Sequence, residues 1–379
     1  MTKPPSPPTA RICVPCRLAA IGAVVVVLAG GFAYTAGWLT PKRLTTQRIV
    51  NTLETNGGVH PGYRRNHAKG LCVEGYFDSN GNAASLSKAA VFAPGRTPVL
   101  GRFAIPGGNP VAPDGSVPVR SFALQFTQAD GQQWRTGMNN TPLFIVHTPQ
   151  QFYQQLVASK PDPATGKPDP AKMKAFVAAN PEARPFLAWL KAHPPSSGFD
   201  NSAYYSINAF NFIDASGNSH AVRWAVQPDT PYAPMNDAQK GTVDFLSADL
   251  AQRLQAGPVK WHLLVTVAAP TDPTDDATLQ WPAERQQIDA GTLVIEHASS
   301  QEDGACRDVN YDPTILPDGI RPSNDPLLAA RSAAYAVSFN RRTREEALDP
   351  DLHRPKPAAP QTPPGPQSQQ TSPQTGARS

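Results

Sequence analysis

Forty-two prolines in a chain of 379 residues limit the fold before any motif is considered. Proline fixes φ, lacks an N–H and interrupts both helix interiors and central strands, so such a chain folds with many turns and few long helices. The prolines gather in loops and at the two ends. With those ends set aside, roughly 300 residues remain, enough for a sizeable core and within the size of a single barrel. The formal net charge is +4 with 17% charged residues, and part of that surplus flanks an N-terminal apolar segment. So small a surplus argues against a nucleic-acid partner.

Residues 1–17 form a short basic arm carrying Lys3, Arg11 and Arg17, and residues 18–41 carry no charge. Leu18–Trp38 is mostly Ala, Val, Gly and Leu, and about 21 residues at 1.5 Å each span roughly 30 Å, a bilayer's hydrocarbon thickness. Tyr34 and Trp38 stand at its far end, where interfacial aromatics are favoured. A cleaved signal peptide competes, with Ala33 and Ala36 as small residues. The apolar part exceeds an ordinary signal core, which favours an uncleaved single-pass anchor. Lys42, Arg43 and Arg48 also follow the segment. The expected orientation, N-terminus inside and main domain on the extracytoplasmic side, therefore rests on the usual behaviour of a first segment. Cys13 and Cys16 form a C-x-x-C pair without a second pair or a histidine to complete a metal site, and read as incidental. Cys72 and Cys306 pair as a disulfide or stay free, depending on whether the compartment is oxidising. Residues 354–379, rich in Pro, Gln, Ser and Thr, bury no core and are expected to be disordered.

Between the ends, hydrophobic periodicity and turn residues give an α+β order. A helical approach at Arg48–Glu54 precedes a strand at Gly70–Phe77 and a helix at Asn82–Ala93. Strands are expected at Pro98–Ala104, Ser121–Thr127 and Leu143–His147. Helices follow at Pro149–Ala158, Ala171–Ala179 and Ala183–His193. A hairpin of Tyr204–Ile213 and His220–Val226 turns through Ala215-Ser216-Gly217-Asn218. A helix at Val243–Leu254, strands at Val259–Ala268 and Thr292–His297, and a last helix at Pro326–Leu348 complete the chain. About eight antiparallel strands with inserted helices suit a closed barrel, because closure removes exposed edges.

Two stretches carry candidate chemistry. The first is Arg64-Arg65-Asn66-His67-Ala68-Lys69-Gly70, running into Gly75-Tyr76-Phe77. On pattern alone, a histidine beside cations is a solvated surface residue. The second is the last helix. At 100° per residue, Arg331, Tyr335, Ser338 and Arg342 fall within about 60° of one another, so one tyrosine shares a stripe with two arginines. Such a stripe faces water in an ordinary amphipathic helix. A cation within about 4–6 Å would instead favour tyrosinate.

Together these stretches resemble the haem catalases. Arg64-x-x-His67-Ala68-Lys69-Gly70 resembles the family's distal-histidine segment, and Arg331-x-x-x-Tyr335 its proximal motif, with Arg342 where the family has a further arginine. Gly137-Met138-Asn139-Asn140-Thr141-Pro142 is similar to the Gly-Asn-Asn-Thr-Pro segment, Arg102-Phe103 to Arg-Phe-Ser, and Phe152 to a phenylalanine stacked near the haem. The likeness keeps family order from Arg64 to Arg342. It implies an eight-stranded catalase-like barrel over residues 42–353, binding haem b. Tyrosine as the iron's axial ligand is the catalase pattern. The resemblance makes Tyr335 that ligand, His67 and Asn139 the catalytic pair, and Arg64, Arg102, Arg331, Arg342 and Phe152 the haem's other contacts.

The departures shift the expected activity. Ala104 stands where the family's serine would partner the distal histidine, Pro118 stands at the channel aspartate, and Ala336–Asn340 replaces the usual continuation after the tyrosine. The chain is thus most similar to the reduced catalase-related peroxidases. Those departures favour reduction of hydrogen peroxide or organic peroxides by a small organic donor over efficient catalase turnover. Two alternatives are a hydroperoxide isomerase or lyase on the same scaffold, and a barrel that carries haem or an apolar ligand without turnover. The donor and the oligomeric state are not readable.

Overall fold

A computed structural model describes residues 13–36, 38–39, 43–349 and 352. Most of the expected basic arm and the expected disordered tail, 354–379, lie outside the described residues. Helix α1 (Val14–Thr35) has 22 residues, buries none, and is long and apolar enough to cross a membrane. Its first turn holds a Cys13–Cys16 disulfide, a pairing the sequence reading, which took the C-x-x-C pair as incidental, did not assign. Helix α2 (Thr46–Gly57) starts at Thr45, whose hydroxyl accepts the Arg48 N–H at 3.2 Å.

The strands follow as β1 (Gly70–Ser79), β2 (Gly95–Ala104), β3 (Ser121–Thr127) and β4 (Gln133–Asn139). After helices α3 (Pro149–Ala158), α4 (Pro170–Ala179) and α5 (Ala183–Ala192) come β5 (Tyr204–Tyr205), β6 (Phe210–Ile213) and β7 (Ser219–Pro228). Helices α6 (Asp237–Lys240) and α7 (Phe245–Ala256) precede β8 (Val259–Val267), β9 (Gln287–Ser300), β10 (Ile320–Pro322) and helix α8 (Pro326–Leu348). Antiparallel pairing runs β7-β5-β4-β3-β2-β1-β9-β8, and a β7–β8 pairing closes these eight strands into a barrel. β6 and β10 extend the sheet from β7 outside that ring.

Alternation along the strands decides what fills the barrel. Phe103, Phe122, Phe126 and Trp134 are all buried, and Phe103 stacks on Phe122 at 4.0 Å and on Phe199 at 4.7 Å between ring centres. Phe126 stacks on Trp134 at 4.6 Å, and Trp224 and Trp261 complete the interior. The intervening positions, Arg102, Ala104, Ser121, Ala123, Gly137 and Asn139, therefore face outward, because side chains alternate across a strand.

Three sequence expectations are corrected. Asn82–Ala93 is two 3₁₀ turns, Asn82–Ser85 and Ala90–Phe92. Lys88 N–H donates to the Ile213 carbonyl and Val91 N–H to Gln128, so tertiary partners take bonds a helix would need. Leu143–His147 is irregular, and the strand lies earlier, at Gln133–Asn139. The expected strand Tyr204–Ile213 breaks into β5 and β6, where Ile207 adopts φ +65°.

Phe103→Ala should remove the centre of the interior stack. A loss of about 3–5 kcal/mol of unfolding free energy is expected for a buried phenylalanine. Equilibrium denaturation reads it, and a loss below about 1 kcal/mol would contradict that packing.

Candidate active site

A cavity of about 650 Å³ lies between the outer face of β2–β4 and helices α2, α3 and α8. Along its sheet wall, Ala104, Ala123 and Gly137 leave open space between the polar Arg102, Ser121 and Asn139. Arg102, Ala123 and Gly137 are register partners across β2, β3 and β4. A Cβ added at Gly137 would stand 3.0 Å from the Arg331 guanidinium and 3.5 Å from the Tyr335 hydroxyl. Glycine there lets α8 bring its tyrosine against the sheet.

His67 enters this cavity from the loop before β1, with a left-handed φ of +56°. A non-glycine residue in that region needs support from its surroundings. Asn66 supplies it: its side-chain oxygen accepts the N–H of His67 at 3.0 Å and of Gly107 at 2.8 Å. The Ala68 N–H donates to the Gly107 carbonyl at 2.9 Å. Asn66 is thus the pin of the loop, not the surface neighbour that its position in the motif suggests. The imidazole Nδ1 is buried without a hydrogen-bond partner, as expected with Ala104 in place of a hydroxyl. Burial, then the fields of Arg102, Arg331 and Arg64, lower the His67 pKa to about 3, so the ring is neutral near pH 7.

Asn139 ends β4 directly opposite Ser121 on β3, and its side-chain oxygen accepts the Ser121 hydroxyl at 2.7 Å. That bond leaves the Asn139 amide N–H groups as the donors still available to the cavity. On α8, Arg331 Nη2 donates to the Tyr335 oxygen at 3.3 Å and to the Gly137 carbonyl at 2.9 Å. Its Nη1 is bonded to Asn208 Oδ1, and Asn208 Nδ2 donates to Asp325 at 2.7 Å. Asp325 also caps α8 by accepting the Leu327 N–H at 2.8 Å. The helix start, the guanidinium and the tyrosine hydroxyl therefore form one connected chain.

At the cationic end, Arg64 Nη2 donates to the carbonyls of Cys306, Arg307 and Val309 at 3.0, 3.2 and 3.0 Å. Arg342 Nη1 donates to the same Arg307 carbonyl. Arg102 donates to the Ala68 carbonyl and to Gln301, and crosses Gly70 so closely that a Cβ there would lie 2.5 Å from the guanidinium carbon. The glycine of the Arg-x-x-His-Ala-Lys-Gly motif is needed for that crossing. Burial and the neighbouring Arg102 and Arg342 push the Arg64 pKa well down, and burial takes Arg102 down to about 10. The Nε atoms of Arg102 and Arg342 are buried and unpartnered. Gathering three desolvated cations on one wall is costly, so this cluster fits a ligand bearing two carboxylates.

The residues singled out in sequence, His67, Asn139, Arg64, Arg102, Phe152, Arg331, Tyr335 and Arg342, all line this cavity. Ser338, on the same α8 stripe, lines it too and accepts the Arg65 N–H at 3.2 Å. Pro118 is not part of the wall, whereas Val117 and Val119 are. Sequence reasoning missed Ser121, Asn208 and Asp325. Asp325 had a local signal, an N-cap aspartate before Pro326. Ser121 and Asn208 act only through tertiary pairing.

Comparison with known proteins agrees with this geometry. The profile of the catalase family matches residues 49–373. A catalase-related peroxidase of Synechococcus elongatus is 39% identical over 329 residues, covering 86% of this chain and 95% of that protein. One from Mycolicibacterium paratuberculosis is 32% identical over 303 residues, with 79% and 95% covered. Catalase A of Saccharomyces cerevisiae superimposes with a TM-score of 0.68 at 21% identity, over 77% of this chain and 62% of that one. A fungal catalase gives 0.67 at 20% identity, with 75% of this chain and 60% of that chain covered. The chain thus spans about 60% of the length of solved catalases but nearly all of the catalase-related peroxidases. With the profile and these relatives covering most of its length, the chain belongs to the catalase family of peroxide-acting haem oxidoreductases.

Proposed function

We propose that this chain is a haem b peroxidase that reduces hydrogen peroxide or organic peroxides with electrons from a small organic donor and has weak catalase activity. The observation that carries it is the convergence of a neutral His67, an Arg331-paired Tyr335 and the Arg64, Arg102 and Arg342 cluster on one cavity. Haem bound there would supply redox-active iron chemistry between donor and peroxide.

The protein's own groups do the rest. Tyr335 would hold the iron through its phenolic oxygen, which the Arg331 guanidinium meets at 3.3 Å. Arg64, Arg102 and Arg342 pair with the propionates, where a planar guanidinium suits a carboxylate. Phe152, with Phe144 at 6.0 Å between ring centres, would offer the haem an apolar contact from the cavity wall. His67 accepts a peroxide proton on its imidazole and returns it to the departing oxygen. Asn139, its oxygen held by Ser121, donates an amide hydrogen bond to the substrate. Overall, two electrons and two protons from the donor turn hydrogen peroxide into two waters, or an organic hydroperoxide into water and an alcohol.

The same proposal assigns residues 1–17 to a basic arm, 18–41 to a single-pass anchor, 42–353 to the haem domain and 354–379 to a tail. The haem domain lies on the extracytoplasmic side. Helix α1 and the Cys72–Cys306 disulfide support that placement, since structural disulfides persist in oxidising compartments.

Purified full-length protein should show a Soret band with the features of tyrosinate ligation, and no band would exclude every haem reading. His67→Ala should keep the band but lower peroxide-dependent donor oxidation by about 10²–10⁴-fold. Unchanged turnover would leave only a haem carrier. Tyr335→Phe should lose the tyrosinate features and most activity, and retained features would place the ligand elsewhere. The rate should also carry no histidine ionisation between about pH 5 and 8. His67 acts as a base when neutral and is protonated only as pH falls towards about 3. A rate that rose through an apparent pKa near 6.5 and vanished from the profile in His67→Ala would show a solvated ring instead.

A further inference from the structure

We propose that the Cys72–Cys306 disulfide is a positioning element for the arginine cluster, and that it sets how tightly the haem is held. This rests on the haem reading above and goes beyond it. Cys72 is the register partner of Arg102 across β1 and β2. Cys306 lies in the 3₁₀ turn Ala305–Asp308, between β9 and β10. The carbonyls of Cys306, Arg307 and Val309 accept the three bonds from Arg64, and the Arg307 carbonyl also accepts Arg342. One short run of main chain thus orients two guanidinium groups. The disulfide fastens that run to the strand position beside the third.

The surroundings make this tie rigid. Both cysteines are fully buried and pack with Tyr311, Leu100, Ala123 and Val309. The run folds so closely on Cys72 that a Cβ at Gly304 would stand 2.6 Å from its sulfur. The run is also tied through Arg307, which meets Glu346 at 3.5 Å and the Glu302 carbonyl at 3.4 Å. The three guanidinium groups repel one another in a desolvated wall, so their spacing depends on carbonyls that cannot drift. Releasing the run lets Arg64 and Arg342 move apart and weakens their grip on a dianion. Tyr335 is set by Arg331, Asn208 and Asp325 near the start of α8, whereas the run meets that helix further along, at Arg342 and Glu346.

The test is haem transfer from haem-loaded full-length protein to excess apomyoglobin, followed by absorbance. The Cys72→Ala/Cys306→Ala double variant should lose haem roughly 10–100-fold faster, the range for removing groups that orient a cofactor's ligands. Its tyrosinate bands should match the wild type. A bridge closing so long a loop also stabilises the whole fold. The control is therefore a core variant, Val265→Ala, compared at temperatures equally far below each protein's melting point. That control should keep haem at the wild-type rate. Equal rates in double variant and wild type, or equally fast loss in the control, overturn the proposal. Should the double variant not fold, wild-type protein made in reducing and oxidising compartments, with thiols counted by alkylation, gives the same comparison. Equal rates in those two forms overturn it as well. A wild type without a Soret band defeats the haem reading itself, whereas a band with equal rates defeats only the role of the disulfide.

Discussion

The interior of the barrel is filled by stacked rings, Phe103 on Phe122 and Phe199 and Phe126 on Trp134, and every other feature of the site follows from that filling. A packed interior has no room for a cofactor. Chemistry moves to the outward positions of the same strands, where Arg102, Ala104, Ser121, Ala123, Gly137 and Asn139 alternate with the core residues. Those residues must do two opposite things. Ala104, Ala123 and Gly137 stay small, leaving room against the sheet, and Arg102, Ser121 and Asn139 carry polar groups. Helix α8 then closes the other side, anchored at its first residue by Asp325 and further along by Arg341 to Glu54 at 2.8 Å.

The electrostatics of that wall connect its two jobs. Arg64, Arg102 and Arg331 all act on His67 and, with burial, keep the imidazole neutral. Under the proposed function, Arg64 and Arg102 would bind carboxylates and also hold the base neutral. A further arginine, Arg65, is buried between Glu54 at 3.2 Å and Glu345. It acts as a strut between α2 and α8. Adjacent arginines in one motif thus serve different ends, according to whether a carboxylate or a row of carbonyls faces them.

How much of this was legible in the sequence follows from the range of the interactions. α3 and the helical core of α8 were readable because each has a local cap and a 3.6-residue pattern; Pro149–Ala158 and Pro326–Leu348 match the expected bounds. β4 was not, because Trp134, Thr136 and Met138 give only three inward positions, and the turn chemistry of Asn139-Asn140-Thr141-Pro142 dominates that region. With β4 unseen, Ser121 could not be paired with Asn139. Asn208 was hidden for a related reason. The strand reading ran through Ile207, whose left-handed backbone bends the chain towards Arg331. The resemblance supplied the site residues one at a time, while their supports came only from the fold.

The support of His67 shows what the substitution at Ala104 changes physically. A hydroxyl there would hold the ring through Nδ1; here that nitrogen is unpartnered, and the residue is held through its main chain instead. Asn66 accepts both the His67 and Gly107 N–H groups, fixing φ at +56° and the loop beside it. Orientation fixed at the backbone leaves rotation about the side-chain bonds to packing against the cavity's occupant. The ring is therefore oriented in part by what it faces.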